Sequence, residues 1–453
     1  MRDYSETVRS WIWGSYHGGG PNFEVRSPLE DTVIAKGELL GDLSLLDGHS
    51  LTENLDIDRL GKILADGIES RRAQFVRATR LETGFSHQDC EELIEGALAY
   101  AQAFATHLAT QIAPRNEGFV SNGRRLALVE VPYGTIAVIL PNNAFLPLAL
   151  ACLLSALRAG NRVILRAPTQ SARSASLLAE ILEGTPEIAP YVSVAICSAP
   201  DFVDWFMASP GAGLLHFFGS SRRAAELVAR GFDAGKSVLI DGEGNVWAYV
   251  DGSVDIDQSA KLLVDGAFRY NGQTCTSING AIVHPALFDE VVTRIVDQVG
   301  SLHESQIGPV FNERQAAWCL DRVEQSGGEI LVGGKRNGAY VSSTVVSSPD
   351  PNSDLVREGV FGPALWLAKG DEAEFASRWQ HNRYPLCAAI LQEPAKLSEW
   401  ASRLPGVARL VLNGDPSIED PFEYWGGYPP AGQNPVSAWP AKYRRTVQID
   451  LSF

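Results

Sequence analysis

The residues with the clearest capacity for chemistry lie in "YNGQTCTSINGAIV", Tyr270–Val283, where Cys275 stands between a Gly-Gln step and a β-branched, strand-like run. A thiolate is a strong nucleophile, but a free cysteine is only a few per cent ionised at neutral pH and needs activation. From the residues alone, Cys275 is either such a nucleophile or a small thiol filling a core. The other five cysteines (Cys90, Cys152, Cys197, Cys319 and Cys387) are scattered, with no C-x-x-C pair. No metal site and no disulfide framework are therefore expected, and a reduced, cytoplasmic compartment fits. None of the eight histidines is spaced to pair with Cys275, so no Cys-His dyad is expected. The "GEG" at Gly242 is not a G-x-G-x-x-G fingerprint.

Regular elements must hold such a nucleophile. Residues 54–112 carry apolar residues at three-to-four spacing, first in "IDRLGKILADGIESRRAQFVRATRLETG" and then in "CEELIEGALAYAQAFATHLATQI". This predicts helices, the first stretch stopped by glycine. Alternation then takes over in "GRRLALVEVPYGTIAVILP", which predicts strands broken at Pro-Tyr-Gly. Helical "LALACLLSALRAG", strand "NRVILRAP", helix "SARSASLLAEILEG" and strand "VSVAICSAP" follow. "GLLHFFGS" leads into the helix "SRRAAELVARGF", before a further strand, "KSVLIDG". Such alternation predicts a parallel, doubly wound α/β sheet.

A second α/β unit begins near Gly244, with strand candidates "VWAYVD", "INGAIVHP", "GEILVGG", "PALWLAKG", "LCAAILQ" and "ARLVLNG". The tail "RRTVQIDLSF" reads as a strand that pairs with a distant sheet or another subunit, or as a simple edge strand. The longest apolar run, "AFLPLALACLLSAL", is too short to cross a bilayer, and the polar N-terminal stretch lacks a signal peptide's apolar run. A formal net charge of −16 argues against nucleic acid and acidic membrane surfaces as partners.

Five segments, in order, carry a family resemblance: "LETG" at Leu81, "LPNNAFLPLALACLLSALRAGNRVILRAP" at Leu140, "HFFGSSRRAAE" at His216, "NGQTCTSINGAIVH" at Asn271 and "REGVFGPAL" at Arg357. Together they resemble the aldehyde dehydrogenase superfamily from about residue 23 to the end. The resemblance implies two doubly wound α/β domains and a small β oligomerisation flap. The cofactor domain would be residues 1–113 and 133–243, the catalytic domain 244–428, and the flap 114–132 with 440–453. Homodimers or homotetramers are implied.

The resemblance also implies roles. Cys275 would attack an aldehyde to give a thiohemiacetal, and Asn143 with the Cys275 backbone N–H would stabilise its oxyanion. After hydride leaves for a nicotinamide, a thioester would remain for a carboxylate-activated water. The family glutamate for that step falls on Asp241, which is shorter by roughly 1.5 Å of reach and has a reference pKa of about 3.9 against 4.3. Glu243, two residues on, is an alternative base, or a solvated turn carboxylate. Leu140 and Asn142 would bind the cofactor, and Arg166, Pro168 and Thr169, in the strand-and-turn "NRVILRAPTQSA", would hold its adenosine ribose. Arg166 in place of the usual lysine, and Thr169 in place of an acidic residue, favour NADP over NAD, since neither repels a 2′-phosphate. Gly219 and Ser220 would receive the pyrophosphate at a helix N-terminus, and Phe361 would stand near the nicotinamide.

Departures from the family are equally specific. Gly359 occupies the position of the glutamate that grips the nicotinamide ribose, with Glu358 beside it. Tyr424, Trp425 and Tyr428 fall in a rewritten C-terminal loop, where they would line an aromatic mouth or pack under the loop. The leading expectation is NAD(P)-dependent oxidation of an aldehyde to a carboxylic acid. The alternatives are transfer of the acyl group to coenzyme A, and a weakly active binding or scaffold member.

Overall fold

The computed structural model describes residues 7–48, 55–108, 116–121, 124–302, 306–393, 397–420, 423, 426–433 and 439–450. Two seven-stranded sheets organise them. In the first, the parallel strands run in the order Ser237–Asp241, Gly213–Phe218, Thr135–Ile139, Arg162–Ala167 and Val192–Ile196. Chain order therefore reverses between Thr135–Ile139 and Gly213–Phe218. Ligands bind at such a switch point, beyond the carboxyl ends of the strands. Asn142, Asn143, Gly219 and Ser220 follow directly from these two strand ends.

The N-terminal stretch, read from sequence as merely polar, extends this sheet. Ser10–Ile12 pairs antiparallel with Val192–Ile196, and Ser15–His17 pairs with Ser10–Ile12. Fully buried Trp11 anchors the addition. The helix Phe145–Arg158 explains the long apolar run: Ala149, Leu150, Cys152, Leu153 and Leu154 are all 0% exposed. That helix is hydrophobic on every side because it is buried on every side.

The second sheet holds all six strand candidates and one more, Thr344–Ser347. Its edge strand, Glu329–Val332, is antiparallel to Thr344–Ser347; the other pairings are parallel. Both faces of the central strands are covered, so Val246–Val250 reads as a continuous apolar run and Ile278–Val283 is interrupted only by Asn279 and Gly280, with every residue of both buried. A separate three-stranded sheet joins Asn116–Ser121, Arg124–Pro132 and Arg444–Asp450, all antiparallel. The C-terminal strand thus pairs with a segment more than three hundred residues earlier, and a short helix, Trp439–Lys442, precedes it.

Candidate active site

A chamber of about 620 Å³ opens where the two sheets meet. Its walls include Asn143, Gly219, Ser220, Asp241, Cys275 and Phe361. All six cysteines are free, and only Cys275 is partly accessible.

The turn carrying Cys275 is fixed from behind. Tyr270, Asn271 and Gly272 all adopt positive φ, at 52°, 55° and 65°. Asn271 sustains its left-handed backbone because its side chain is fully bonded: its amide donates to the carbonyls of Gly84 (3.1 Å) and Pro309 (2.9 Å) and accepts from the Gly308 N–H (2.9 Å). Gly272 is required there, since a Cβ would lie 2.3 Å from the Gly362 carbonyl oxygen. Burial pushes the Cys275 thiol well above its ordinary value, and the Glu419 and Asp241 carboxylates push it further. The resting sulfur is a thiol that must lose its proton to react.

Asn143 reaches the same turn, with its Nδ2 donating to the Gln273 carbonyl at 3.0 Å. An amide nitrogen carries two protons, so one remains for a developing oxyanion beside Cys275.

Asp241 ends its strand inside the chamber. Its Oδ2 lies 2.7 Å from His216 Nε2, and His216 Nδ1 lies 2.7 Å from the Tyr443 hydroxyl. Burial pushes His216 down, so the ring is neutral: Nε2–H donates to Asp241, and Nδ1 accepts from Tyr443. Burial raises Asp241, but the His216 hydrogen bond and the Lys442 charge outweigh it and leave the carboxyl below its usual value. Oδ1 receives no hydrogen bond from the described residues. Neither His216 nor Tyr443 was singled out from sequence, because nothing in spacing reports a contact across 25 or 227 residues.

Glu243 is not free in solvent. Its Oε2 accepts the Ser221 N–H at 2.7 Å, at the start of the helix Ser221–Asp233. Ser220 caps that helix, its hydroxyl accepting from the Arg222 N–H at 3.4 Å. Glu358 turns to Arg222, Arg322 and Arg383, at 3.0, 2.5 and 2.7 Å. Burial raises its carboxyl, but the arginines more than compensate and hold it low. Gly359 has φ +71°, and a Cβ there would stand 2.6 Å from Asn279 Oδ1. The local backbone itself therefore excludes the glutamate expected from the family at this position. Phe361 lines the chamber, its ring centroid 5.9 Å from that of Phe311 and its carbonyl accepting from Gln315.

The remaining cofactor candidates divide. Asn142 lines the chamber but spends its amide on structure, accepting from Ser171 Oγ (2.6 Å) and donating to the Glu82 carbonyl (3.3 Å). Leu140 is buried. Arg166 lies in the strand Arg162–Ala167, Pro168 and Thr169 follow it, and all three stand outside the chamber's described walls. Arg166 gives Nε and Nη2 to the Cys197 carbonyl at 3.0 and 2.8 Å. Tyr424 and Trp425 lie outside the described residues. Tyr428 is exposed and does not line the chamber.

The positive end of the helix Ser221–Asp233 stands at the chamber, where a dinucleotide phosphate would meet it, but its first N–H is already taken by the chain's own Glu243 carboxylate.

Comparison with known proteins agrees with this geometry. The family model described as Aldehyde dehydrogenase family matches residues 57–445. The chain is 26% identical over 385 residues to a 3-sulfolactaldehyde dehydrogenase of Priestia aryabhattai, covering 81% of this chain and 80% of the relative. It is 27% identical over 369 residues to a vanillin dehydrogenase of Corynebacterium glutamicum, covering 78% and 73%. An aldehyde dehydrogenase of Bacillus cereus, solved with NAD+, superposes with a TM-score of 0.87 at 19% identity, covering 99% of this chain and 97% of that one. By the match over most of its length, this chain belongs to the aldehyde dehydrogenase family.

Proposed function

We propose that this chain oxidises an aldehyde to a carboxylic acid with NAD(P), using Cys275 as nucleophile. The observation that carries the reading is the partly accessible Cys275 in one chamber with Asn143, Asp241 and the Gly219–Ser220 turn. Sulfur attacks the carbonyl carbon, and the free Asn143 N–H with the Cys275 backbone N–H holds the oxyanion. A bound nicotinamide dinucleotide supplies the hydride acceptor. The thioester then falls to water, with Asp241 Oδ1 as the acceptor for its proton. His216 fixes the orientation of that carboxylate.

Water rather than coenzyme A suits a buried carboxylate oxygen that lacks a hydrogen-bond partner among the described residues, on a residue that lines the same two spaces as Cys275. NADP is favoured over NAD: Arg166 keeps its Nη1 edge beyond its two bonds to Cys197, and Thr169 offers no negative charge. Among the relatives' substrates, the aromatic aldehyde suits the chamber better than the sulfonated one, because Leu93, Tyr100, Leu148, Tyr270 and Trp439 line it and the arginines that line it, Arg222 and Arg322, are taken by Glu358. The exposed Phe119, Val120 and Ile449 of the three-stranded sheet support its use in joining copies of the chain. No helix among the described residues is long and apolar enough to cross a membrane, and six unpaired cysteines suit the cytoplasm.

Rapid mixing with an aldehyde panel, with NAD and NADP in parallel, tests the reading. A burst of about one equivalent of reduced cofactor per site, absent in Cys275→Ser, is expected. A burst that persists in Cys275→Ser, or no turnover of any aldehyde, would sink it.

A further inference from the structure

We propose that Glu419 is the base that takes the proton of the Cys275 thiol as sulfur attacks the aldehyde, an assignment that rests on the Cys275 chemistry above. Glu419 lines the main chamber and also an inner cavity of about 30 Å³ behind the nucleophile, and Cys275, Thr276 and Asp241 line both. Thr276, next to the nucleophile in sequence, hydrogen-bonds Glu419 through its side chain. Among the charges acting on the thiol, Glu419 weighs most, ahead of Asp241, and the leading influences include no cation. A quarter of the Glu419 side chain stays accessible, and it lines these two spaces rather than packing into the core.

The loop is braced to hold it there. Arg409 donates to the carbonyls of Pro416 (2.8 Å) and Ile418 (3.0 Å) and pairs with Glu423 (3.2 Å) and Glu419 (3.8 Å). The charged groups facing Glu419 are Arg409, Glu423 and Asp415; those facing Cys275 are Glu419 and Asp241, with the Cys387 thiol also near. Burial pushes Glu419 up to about 8, against the pull of Arg409. A base whose pKa lies near the working pH combines ionisation with a lasting hold on the proton.

Asp241 is equipped for a different step. One oxygen is committed to His216, and the other is unpaired among the described residues, as is Glu423 Oε1. Both residues line the inner cavity, whose volume admits a water held by several polar partners. The work divides accordingly. As the S–C bond forms, the S–H bond breaks, its proton passes to Glu419, and the carbonyl π pair moves to oxygen. When water later cleaves the thioester, the S–C bond breaks and sulfur recovers the proton from Glu419.

Alkylation of Cys275 by iodoacetamide, without aldehyde or cofactor, tests this directly, with the modified residue located by mass spectrometry. Sulfur gains a carbon, iodide leaves, and the thiol proton needs an acceptor. In the wild type the rate should climb as Glu419 ionises through about pH 8. Glu419→Gln should be slower by about tenfold or more and lose that climb, a modest share of what a general base supplies. If Glu419 acted only through its charge, Glu419→Gln would relieve the thiol and alkylate faster. A faster or unchanged rate overturns the proposal. Should Glu419→Gln not fold, Glu419→Asp decides: it keeps a carboxylate but retracts it, and wild-type speed there also overturns the assignment. The burst experiment is separate, so a wild type that bursts normally while Glu419→Gln alkylates normally removes only the role of Glu419.

Discussion

Glu243 and Ser221 close a reciprocal pair at the start of the helix Ser221–Asp233. Glu243 Oε2 accepts the Ser221 N–H at 2.7 Å, and Ser221 Oγ accepts the Glu243 N–H at 3.2 Å. A carboxylate therefore stands where the positive end of the helix would meet a phosphate.

That carboxylate competes with a dinucleotide. Neutralising it in Glu243→Gln should tighten cofactor binding by about two- to fivefold, the equivalent of roughly 0.3–1 kcal/mol for a charge at a helix terminus. Titration calorimetry with NAD and with NADP measures it. Equal or weaker binding would mean that the phosphates bind away from this terminus.

Glu82, inside the "LETG" segment, holds the start of another helix. Its Oε1 accepts the N–H groups of Arg173 (2.8 Å) and Ser174 (3.0 Å), and its Oε2 accepts the Ser174 hydroxyl (2.5 Å). Glu82→Ala strands these buried donors, and each unsatisfied group costs about 1–3 kcal/mol. Chemical denaturation should show a clear loss of stability. Burial also pushes Glu82 up to about 7 from 4.5. The folded carboxyl thus keeps a proton that the unfolded chain releases first. Its contribution is fully present below the unfolded value and declines as pH rises toward about 7. The variant should lack that decline; an identical pH profile would count against the assignment.

The chamber lining includes Leu93, Tyr100, Leu148, Tyr270 and Trp439 with the carboxylates Glu92, Glu419 and Asp420, and its two cations among the described residues, Arg222 and Arg322, are both paired with Glu358. Glu92 is already paired with Arg269. A carboxylate-bearing aldehyde would have to compete with Glu358 for either cation, and a charge taken from water without a counter-ion is strongly disfavoured. Benzaldehyde should exceed succinic semialdehyde in kcat/KM by at least about tenfold, since a single such contact is worth more than 1.4 kcal/mol. The reverse order would mean that Arg222 or Arg322 leaves Glu358 to meet the substrate.

Legibility in the sequence followed the physics of each element. The central strands are buried on both faces, so their composition announces them. Ser10–Ile12 and Ser15–His17 are three residues each, too short to show an alternating pattern, and only pairing with a distant strand makes them part of a sheet. Thr344–Ser347 hides among serines for the same reason. Cys275 and Asn143 were legible because their surroundings carry the family pattern. His216, Tyr443 and Glu419 were not, since their importance comes from burial and from contacts far along the chain. Gly359 was legible only as a departure; its reason, a positive φ against Asn279 and Asn245, belongs to the fold.

Asp241 bears most directly on turnover. Its Oδ2 is tied to neutral His216, its Oδ1 is buried without a hydrogen-bond partner among the described residues, and the residue lines the cavity it shares with Cys275. Asp241→Asn keeps the volume but removes the proton acceptor, and its amide can no longer accept on both sides. The first turnover needs no hydrolysis, so the burst should keep its amplitude. Steady-state turnover should fall by about 100-fold or more, the usual contribution of a general base. The acyl-enzyme should then accumulate and appear by mass spectrometry as a mass added at Cys275. Asp241→Glu reaches further toward the thioester and should speed hydrolysis if reach is limiting. If Asp241→Asn turns over at the wild-type rate, the water is activated elsewhere, and Asp241 serves only to hold His216 and the base of its strand.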